Sequence, residues 1–537
     1  MLNYVWIGLL FLGIGAAVTT DLIDISENKY HNNESISVSV QENLNEIKTI
    51  PKTVKATLTI DKNLFNKIFN DSTTSDIIFK SVLTFEKDSN EAKAVLFVNS
   101  NMPEIFQSIA KASGKDNDIN ATLYLNNNNA KIIFERVSFI KLKNVTNAAL
   151  EYAGIAVNIA LGLIGIMALW IGIMKVAEDA GLIKSIANFL KPLTKWLFPN
   201  IPSDHPAMGS MIMNISANML GLGNAATPFG LKAMEELEKL NPEKGTATNA
   251  MCTFLAINTA GITLIPVTAI AVRAASGSSD PAIIIGTSLF ASSCATIAGV
   301  FAAKTFEKFP LKKGEFKNWI KQNSKFFSII GLLITAILIF TLTGLGKSLS
   351  SAFSFINVSS FKVAIQLLST LAIPLVIVLF LGYGLIKKVK VYEQFVEGAK
   401  EGFQIAVKII PYLVAMLVAI GIFRAGGAMD WLKFVIHPVT DFIGMPVDAL
   451  PMALMRPLSG SGSLGIMSEV ISVHGPDSFI GILTSTFYGS TETTFYVLAL
   501  YFGAVNIKRT RHALPAGLIA DVPGILAAVF IVRLIFG

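Results

Sequence analysis

Charge is what this sequence has least of. Only 15% of its 537 residues are Asp, Glu, Lys or Arg, against 52% hydrophobic, where soluble domains carry roughly 25% charged residues. That shortfall excludes an ordinary soluble enzyme. Cysteine is almost missing as well: the two present, Cys252 and Cys294, lie inside apolar runs, which leaves no disulfide framework and no thiolate zinc site. Histidine is sparse and unpaired in spacing, with no HExxH, so no metal site is expected, and His205 beside Pro206 reads as a turn residue. No GxSxG elbow occurs and no glycine-rich loop ends in GK[ST], so neither a catalytic activity nor a cofactor is expected. The net charge of +7 could suggest nucleic acid, but the lysines and arginines flank apolar runs instead of forming one face. No nucleic-acid partner is expected; the partner that explains them is the lipid bilayer.

What the chain does have is apolar runs of the length that crosses a hydrocarbon layer of about 30 Å. They fall near 4–20, 148–174, 248–272, 282–303, 326–343, 362–386, 404–424, 479–504 and 513–535, and predict an α-helical integral membrane protein of nine crossings. The first lacks the basic start of a signal peptide and reads as a retained helix over 1–20. Residues 21–147 are polar, and TVKATLTI, DIIFKSVLTFE, KAVLFV, ATLYL and KIIFERVSFI alternate with period two, while 102–112 suits one helix. A small β-rich (α+β) soluble insert follows from this, with a loop at 126–129. Two apolar stretches, about 209–230 (MIMNISANMLGLGNAATPFGL) and 450–470 (LPMALMRPLSGSGSLGIMSEV), are interrupted by Gly, Ser and Pro and read as re-entrant hairpins. Backbone that reverses at membrane depth needs protein or a wet cavity around it. Lysine and arginine clusters after the second, fourth and sixth spans and between the last two, Lys308 to Lys325 among them, set the N-terminus in the cytoplasm and the insert outside. That orientation fits a bacterial plasma membrane.

Residues 150–303 and 404–535 share one order: a span, an amphipathic segment, a broken hairpin and two further spans. By the charge rule the first enters from outside and the second from inside, so the halves read as inverted repeats, a construction that lets one midplane site open alternately to each side. Domains are therefore expected at 1–20, 21–147, 148–325, 326–400 (two linking helices) and 401–537. Glu492 is the sharpest candidate site residue, because a carboxylate at mid-span costs about 2.5–3.5 kcal/mol unless it faces a cavity or partner. It is flanked by Ser490, Thr491 and Thr493. Arg456 opens RPLSGSGS, where Ser459, Ser461 and Ser463 offer hydroxyls, and it is also the structural ion-pair partner that Glu492 would take. In the first half Asn214, Ser216, Asn218 and Asn224, then Asn258 and Thr259, supply uncharged donors and acceptors suited to a polar ring or an amino-acid-like group. Each could equally be a helix-packing residue. Asp521, before Pro523, reads either as a second intramembrane acid or as a cap.

The stretches KVAEDAGLIKSIANFLKPLTKWLFPNIPSDHPAMGSMIMNISANMLGLGNAATPFGL and ALMRPLSGSGSLGI with HGPDSFIGILTSTFYGSTETTFYVLALYFGAVNIKRTRHALP resemble, in that order, spore maturation proteins A and B, a family carrying the nucleoside recognition or Gate domain. The chain looks like a fusion of the two, covering the first span and nearly everything after residue 148, with the insert as the departure. That family is similar to the membrane part of ferrous iron transporter B and to concentrative nucleoside transporters. The resemblance implies a transporter of a small polar solute, nucleoside-like or amino-acid-like, coupled to a proton or cation or facilitative. The alternative is a non-transporting factor of the spore maturation type that senses a solute or supports envelope maturation through an extracytoplasmic protein partner of the insert. A homo-oligomer stays open.

Overall fold

A computed structural model describes residues 2–41, 52–86, 90–112, 117–126, 129–221, 223–307 and 358–537. They divide into two compact units, one of residues 3–153 and 418–435, the other principally of 154–417 and 436–537.

The first unit begins with α1 (Leu2–Ser26) and then turns to strand. Six strands, β1 (Ile36–Val40), β2 (Lys52–Ile60), β3 (Ile77–Phe85), β4 (Glu91–Phe97), β5 (Asp118–Asn126) and β6 (Asn129–Phe134), pair antiparallel in sequence order. β6 returns to pair with β1, so the sheet closes into a barrel and leaves no free edge. Period-two burial along β3 turns Ile77, Phe79, Leu83 and Phe85 inward. Two amphipathic helices, α2 (Lys62–Phe69) and α3 (Glu104–Ala112), fill what the strands leave. Phe106 of α3 lies 5.5 Å from Phe65 of α2, 5.0 Å from Phe79 and 5.4 Å from Phe134, ring centre to ring centre. β1 and α2 are additional to the sequence expectation, since ISVSV and KNLFNKIF are short. The centre of the loop expected at 126–129, residues 127–128, lies outside the described residues.

The chain enters and leaves the barrel through tied linkers. Asp21 of α1 accepts the N–H groups of Lys141 and Leu142, both at 2.9 Å, capping the start of α4 (Ile140–Asp179). Asn32 and Val137 exchange two hydrogen bonds of 2.9 Å between the linkers.

The second unit repeats one order of elements. It takes up α4, then the amphipathic α5 (Leu182–Leu197), the hairpin α6 (Pro206–Met219) and α7 (Gly223–Lys239), α8 (Asn249–Thr259), α9 (Val267–Ala275) and α10 (Ile284–Phe306). After α11 (Val358–Ile386) come α12 (Val391–Ala425), the amphipathic α13 (Ala428–Ile443), the hairpin α14 (Leu450–Met455) and α15 (Gly460–His474), α16 (Phe479–Ser490), α17 (Thr494–Ala504) and α18 (Ala513–Phe536). Among the described residues, five helices are long and apolar enough to span: Asn3–Ser26, Ile140–Asp179, Pro281–Phe306, Val391–Ala425 and Ala513–Phe536. The expected spans 248–272 and 479–504 are not continuous helices: each is two short helices with an unwound stretch between them, 260–266 and 491–493. The span expected at 326–343 and the cluster Lys308 to Lys325 lie outside the described residues.

Packing in this unit is reciprocal. α4 and α12 approach at Gly398 and Gly402, where an added Cβ would meet the carbonyl oxygens of Ile171 and Met167 at 2.6 Å each. α10 packs along α18, α7 on α17, and α15 on α9, so each hairpin supports the broken helix of the other repeat. The two broken helices run antiparallel, fixed at three levels. Lys508, after α17, donates its N–H to Gly245 O, before α8, at 2.9 Å; Glu492 N donates to Thr259 O at 2.8 Å; and Arg273 of α9 meets Asp477, before α16, at 2.9 Å.

Beside the first of these levels, His512 is 8% exposed and its Nε2 has no hydrogen-bond partner. Burial, with Arg511 adjacent, lowers its pKa to about 4. The folded protein therefore holds a neutral imidazole. The stability this contributes is complete above about pH 6.5, the unfolded value, and is lost as pH falls toward about 4. Thermal melts of the detergent-solubilised protein are expected to drop across that window, and His512→Gln to flatten the drop; an unchanged pH profile in the variant would contradict the assignment.

Candidate functional site

The breaks are where chemistry is concentrated. α8 ends at Thr259 because Gly261, the β-branched Ile262 and Thr263, and Pro266 follow it. The freed backbone is taken up by neighbours: Thr263 N donates to Ser292 Oγ of α10 at 3.2 Å, Leu264 N to Met219 O of α6 at 2.8 Å, and Thr296 Oγ1 to Ala260 O. In the other half α16 ends at Ser490, and Thr491 is fully extended (φ −143°, ψ 168°). Arg456 donates to the Thr491 carbonyl, and Phe495 N donates to Pro457 O at 3.1 Å. A buried guanidinium thus caps the negative end of α16, where a cation is most stabilising.

Arg456 is 2% exposed, stacks 4.3 Å over the Tyr488 ring and lies 3.5 Å from the Glu492 carboxylate. The expected pair exists, but it is lopsided: the Glu492 side chain is 52% exposed. Its backbone N–H, through Thr259 O, joins it to the first half. There Asn218 Nδ2 donates to Asn258 Oδ1 at 3.0 Å, and Asn258 Nδ2 to Phe254 O at 2.9 Å. These two amides, with Ile215, Ile257 and Gly261, line a small cleft of about 10 Å³, room for roughly one water molecule. That is below the roughly 300 Å³ at which small-molecule pockets begin.

The other candidates divide by what their hydrogen bonds reach. Asn214 is fully buried and donates to Ala226 O at 2.8 Å and to the Tyr501 hydroxyl at 3.3 Å, fastening α6 to α7 and α17. Ser216, Thr259, Ser463 and Ser490 turn their hydroxyls onto carbonyls three or four residues back, Ile212, Ala256, Ser459 and Phe487. Ser459 caps α15 by accepting from Gly462 N at 3.0 Å, and Ser461 lies 3.4 Å from it, half-buried. Thr493 is buried against Gly460, and Thr491 contributes its carbonyl. Asn224 lies in α7, with its side chain outside the described atoms. The structure thus brings Asn218, Asn258, Thr259, Arg456 and Glu492 to the two breaks, and draws Asn214, Ser216, Ser463 and Ser490 into packing. His205 caps α6, its Nδ1 accepting from Ala207 N at 3.1 Å. Among the described residues no group of three or more His, Cys, Asp or Glu side chains could hold a metal.

Two repeats, each a hairpin followed by a broken helix, define a Gate-type multi-pass membrane protein. The family described as nucleoside recognition (Gate) matches residues 160–276 and 406–508. The chain is 53% identical over 173 residues to spore maturation protein B of Bacillus subtilis (strain 168), covering 32% of this chain and 97% of that protein. It is 44% identical over 173 residues to spore maturation protein A of the same organism, again 32% of this chain and 88% of that one. No solved structure matches the chain. It belongs to the spore maturation protein A and B family.

Arg456 and Glu492 carry unequal structural weight. Arg456→Gln removes the buried cap of α16 and is expected to cost about 2–4 kcal/mol; Glu492→Gln, at a half-exposed side chain, about 1 kcal/mol or less. Thermal midpoints of the two purified variants should rank in that order, and equal midpoints would count against the capping role.

Proposed function

We propose that the chain is a secondary transporter of a small polar solute, nucleoside-like or amino-acid-like, worked by two inverted repeats with re-entrant hairpins α6–α7 and α14–α15. The observation that carries this reading is the hydrogen bond from Glu492 N to Thr259 O, 2.8 Å, which joins two helix breaks running in opposite directions. Unwound backbone at membrane depth belongs where it lines a protein-enclosed or wet space. A half-exposed carboxylate in hydrocarbon would be costly, so the open side of Glu492 is read as a water-filled vestibule. Solute would meet the Asn218 and Asn258 amides on one repeat and Glu492 and Arg456 on the other. The cleft of about 10 Å³ is too small for such a solute, so this reading requires it to widen as the repeats rock about the joined breaks. The setting is a bacterial plasma membrane, with the N-terminus cytoplasmic and the 21–147 insert outside.

A second reading rests on the relatives, whose names speak of spore maturation alone: a solute-sensing membrane factor whose barrel engages an extracytoplasmic protein. Proteoliposomes loaded from a panel of labelled nucleosides and amino acids discriminate the two. Transport predicts saturable uptake or exchange of one class, reduced about tenfold or more by Glu492→Gln, the scale of one charge-assisted contact. Thermal stabilisation by a solute that never crosses would favour the sensor instead.

Orientation has its own test. With the native cysteines replaced, single cysteines at Lys387 and at Lys93 should react with an impermeant maleimide from opposite sides of the membrane; labelling from the same side contradicts the topology.

A further inference from the structure

Among the described residues, two buried acids of this unit, Glu469 of α15 and Asp521 of α18, stand outside the site described above, and the second lies against the breaks. Asp521, in the first half of α18, is 2% exposed. Its Oδ2 accepts from Thr494 Oγ1, the first residue of α17, at 2.7 Å, while Oδ1 is buried and accepts nothing. Its helix is pressed against both breaks. A Cβ added to Gly517 would fall 2.7 Å from Thr494 Cγ2 and 3.3 Å from Thr259 Oγ1, and one added to Gly524 would fall 2.9 Å from Thr491 Cγ2. Ala520 packs with Ala260 and Ala295. Asp521 therefore sits at the level where both helices unwind.

A carboxylate withdrawn from water needs several donors or a committed counter-charge. α18 packs against α8, α10, α16 and α17, and their ionisable groups are few: Cys252 on α8, Cys294 and Lys304 on α10, Tyr488 on α16, Tyr496 and Tyr501 on α17. The break adds Glu492, an acid, and the second hairpin adds Arg456. That arginine is engaged by the Thr491 carbonyl, Tyr488 and Glu492. One hydroxyl is a thin shell for a buried charge, whereas a neutral carboxyl with one unused oxygen forfeits a single hydrogen bond. The donor is also the residue that must move if α17 shifts at its break.

We propose that Asp521 is the proton-binding site of this protein, holding a proton while Thr494 donates to it and yielding that proton to water when the start of α17 moves away. The O–H bond of the carboxyl breaks, one proton passes to water as hydronium, and the single negative charge left on Asp521 is solvated by the water that enters as the start of α17 withdraws. The idea rests on the transport reading, and it assigns the coupling proton to α18, leaving Glu492 to the solute.

Infrared difference spectroscopy on the full-length protein in lipid membranes tests this without any substrate. A carbonyl-stretch band of a protonated carboxylic acid is expected at neutral pH. It should vanish in Asp521→Asn, persist in Glu492→Gln, and shift in frequency in Thr494→Val, which removes the hydrogen bond and keeps the acid. No such band in the wild type, or a band that survives Asp521→Asn, overturns the proposal. Since the readout needs no solute movement, a protein that carries the band but transports nothing refutes the transport reading alone; one that transports with an ionised Asp521 refutes this proposal alone.

Discussion

A helix that unwinds where water is scarce leaves N–H and C=O groups that only protein can satisfy, and this requirement orders the membrane unit. Each break is flanked by a hairpin and by the helix that follows. Leu264 N reaches α6 and Phe495 N reaches the turn before α15; Ser292 and Thr296 take up backbone groups of one break, as Arg456 does at the other. The last connection is between the breaks themselves, Glu492 N to Thr259 O. Neither half could keep its interruption alone, because part of the backbone it frees is taken up by the other.

The two halves meet this requirement with different chemistry. The first uses amides and hydroxyls, with Asn218 and Asn258 bonded to each other beside the cleft. The second uses ionisable groups: Arg456 on the end of α16, Glu492 half-open, Asp521 closed in. A site spanning both would face a solute with neutral polar groups from one side and a cation and an acid from the other, which suits a ligand that is itself polar along one edge and ionic or strongly dipolar along the other.

Part of this was legible in the letters. Glu492 and Arg456 stand out because charge inside an apolar run has few explanations, and the barrel strands stand out by period two. The broken helices were hidden for two reasons. Hydropathy averages over a window, so 248–272 scores as a span although Gly261 and Pro266 sit within it. Ser490 to Thr494 contains no glycine or proline at all; it unwinds because Arg456 and Thr259 claim its backbone, and those partners are distant in sequence. The serines misled in the opposite way. Ser216, Ser463 and Ser490 sit in polar clusters, yet each bonds its own helix, a choice that depends on rotamer and neighbour and leaves no mark in composition. Asp521 carried the same signal as Glu492, and the nearby Pro523 made a cap look sufficient.

The antiparallel pair is also fastened unequally at its ends. At one, Asp477 accepts from Arg273, Ser278 and both the N–H and hydroxyl of Ser279. Burial works against its charge, but those bonds hold its pKa below the ordinary carboxylate range. At the other, Lys508 and Arg509 donate their N–H groups to Gly245 O, and Ala247 N donates to Arg509 O at 2.9 Å. Main-chain bonds are indifferent to side-chain identity and to pH, whereas an end tied by one carboxylate is released by its protonation or its replacement. Separating the two broken helices would therefore meet resistance of two kinds, and the end at Asp477 is the one most sensitive to a change in charge.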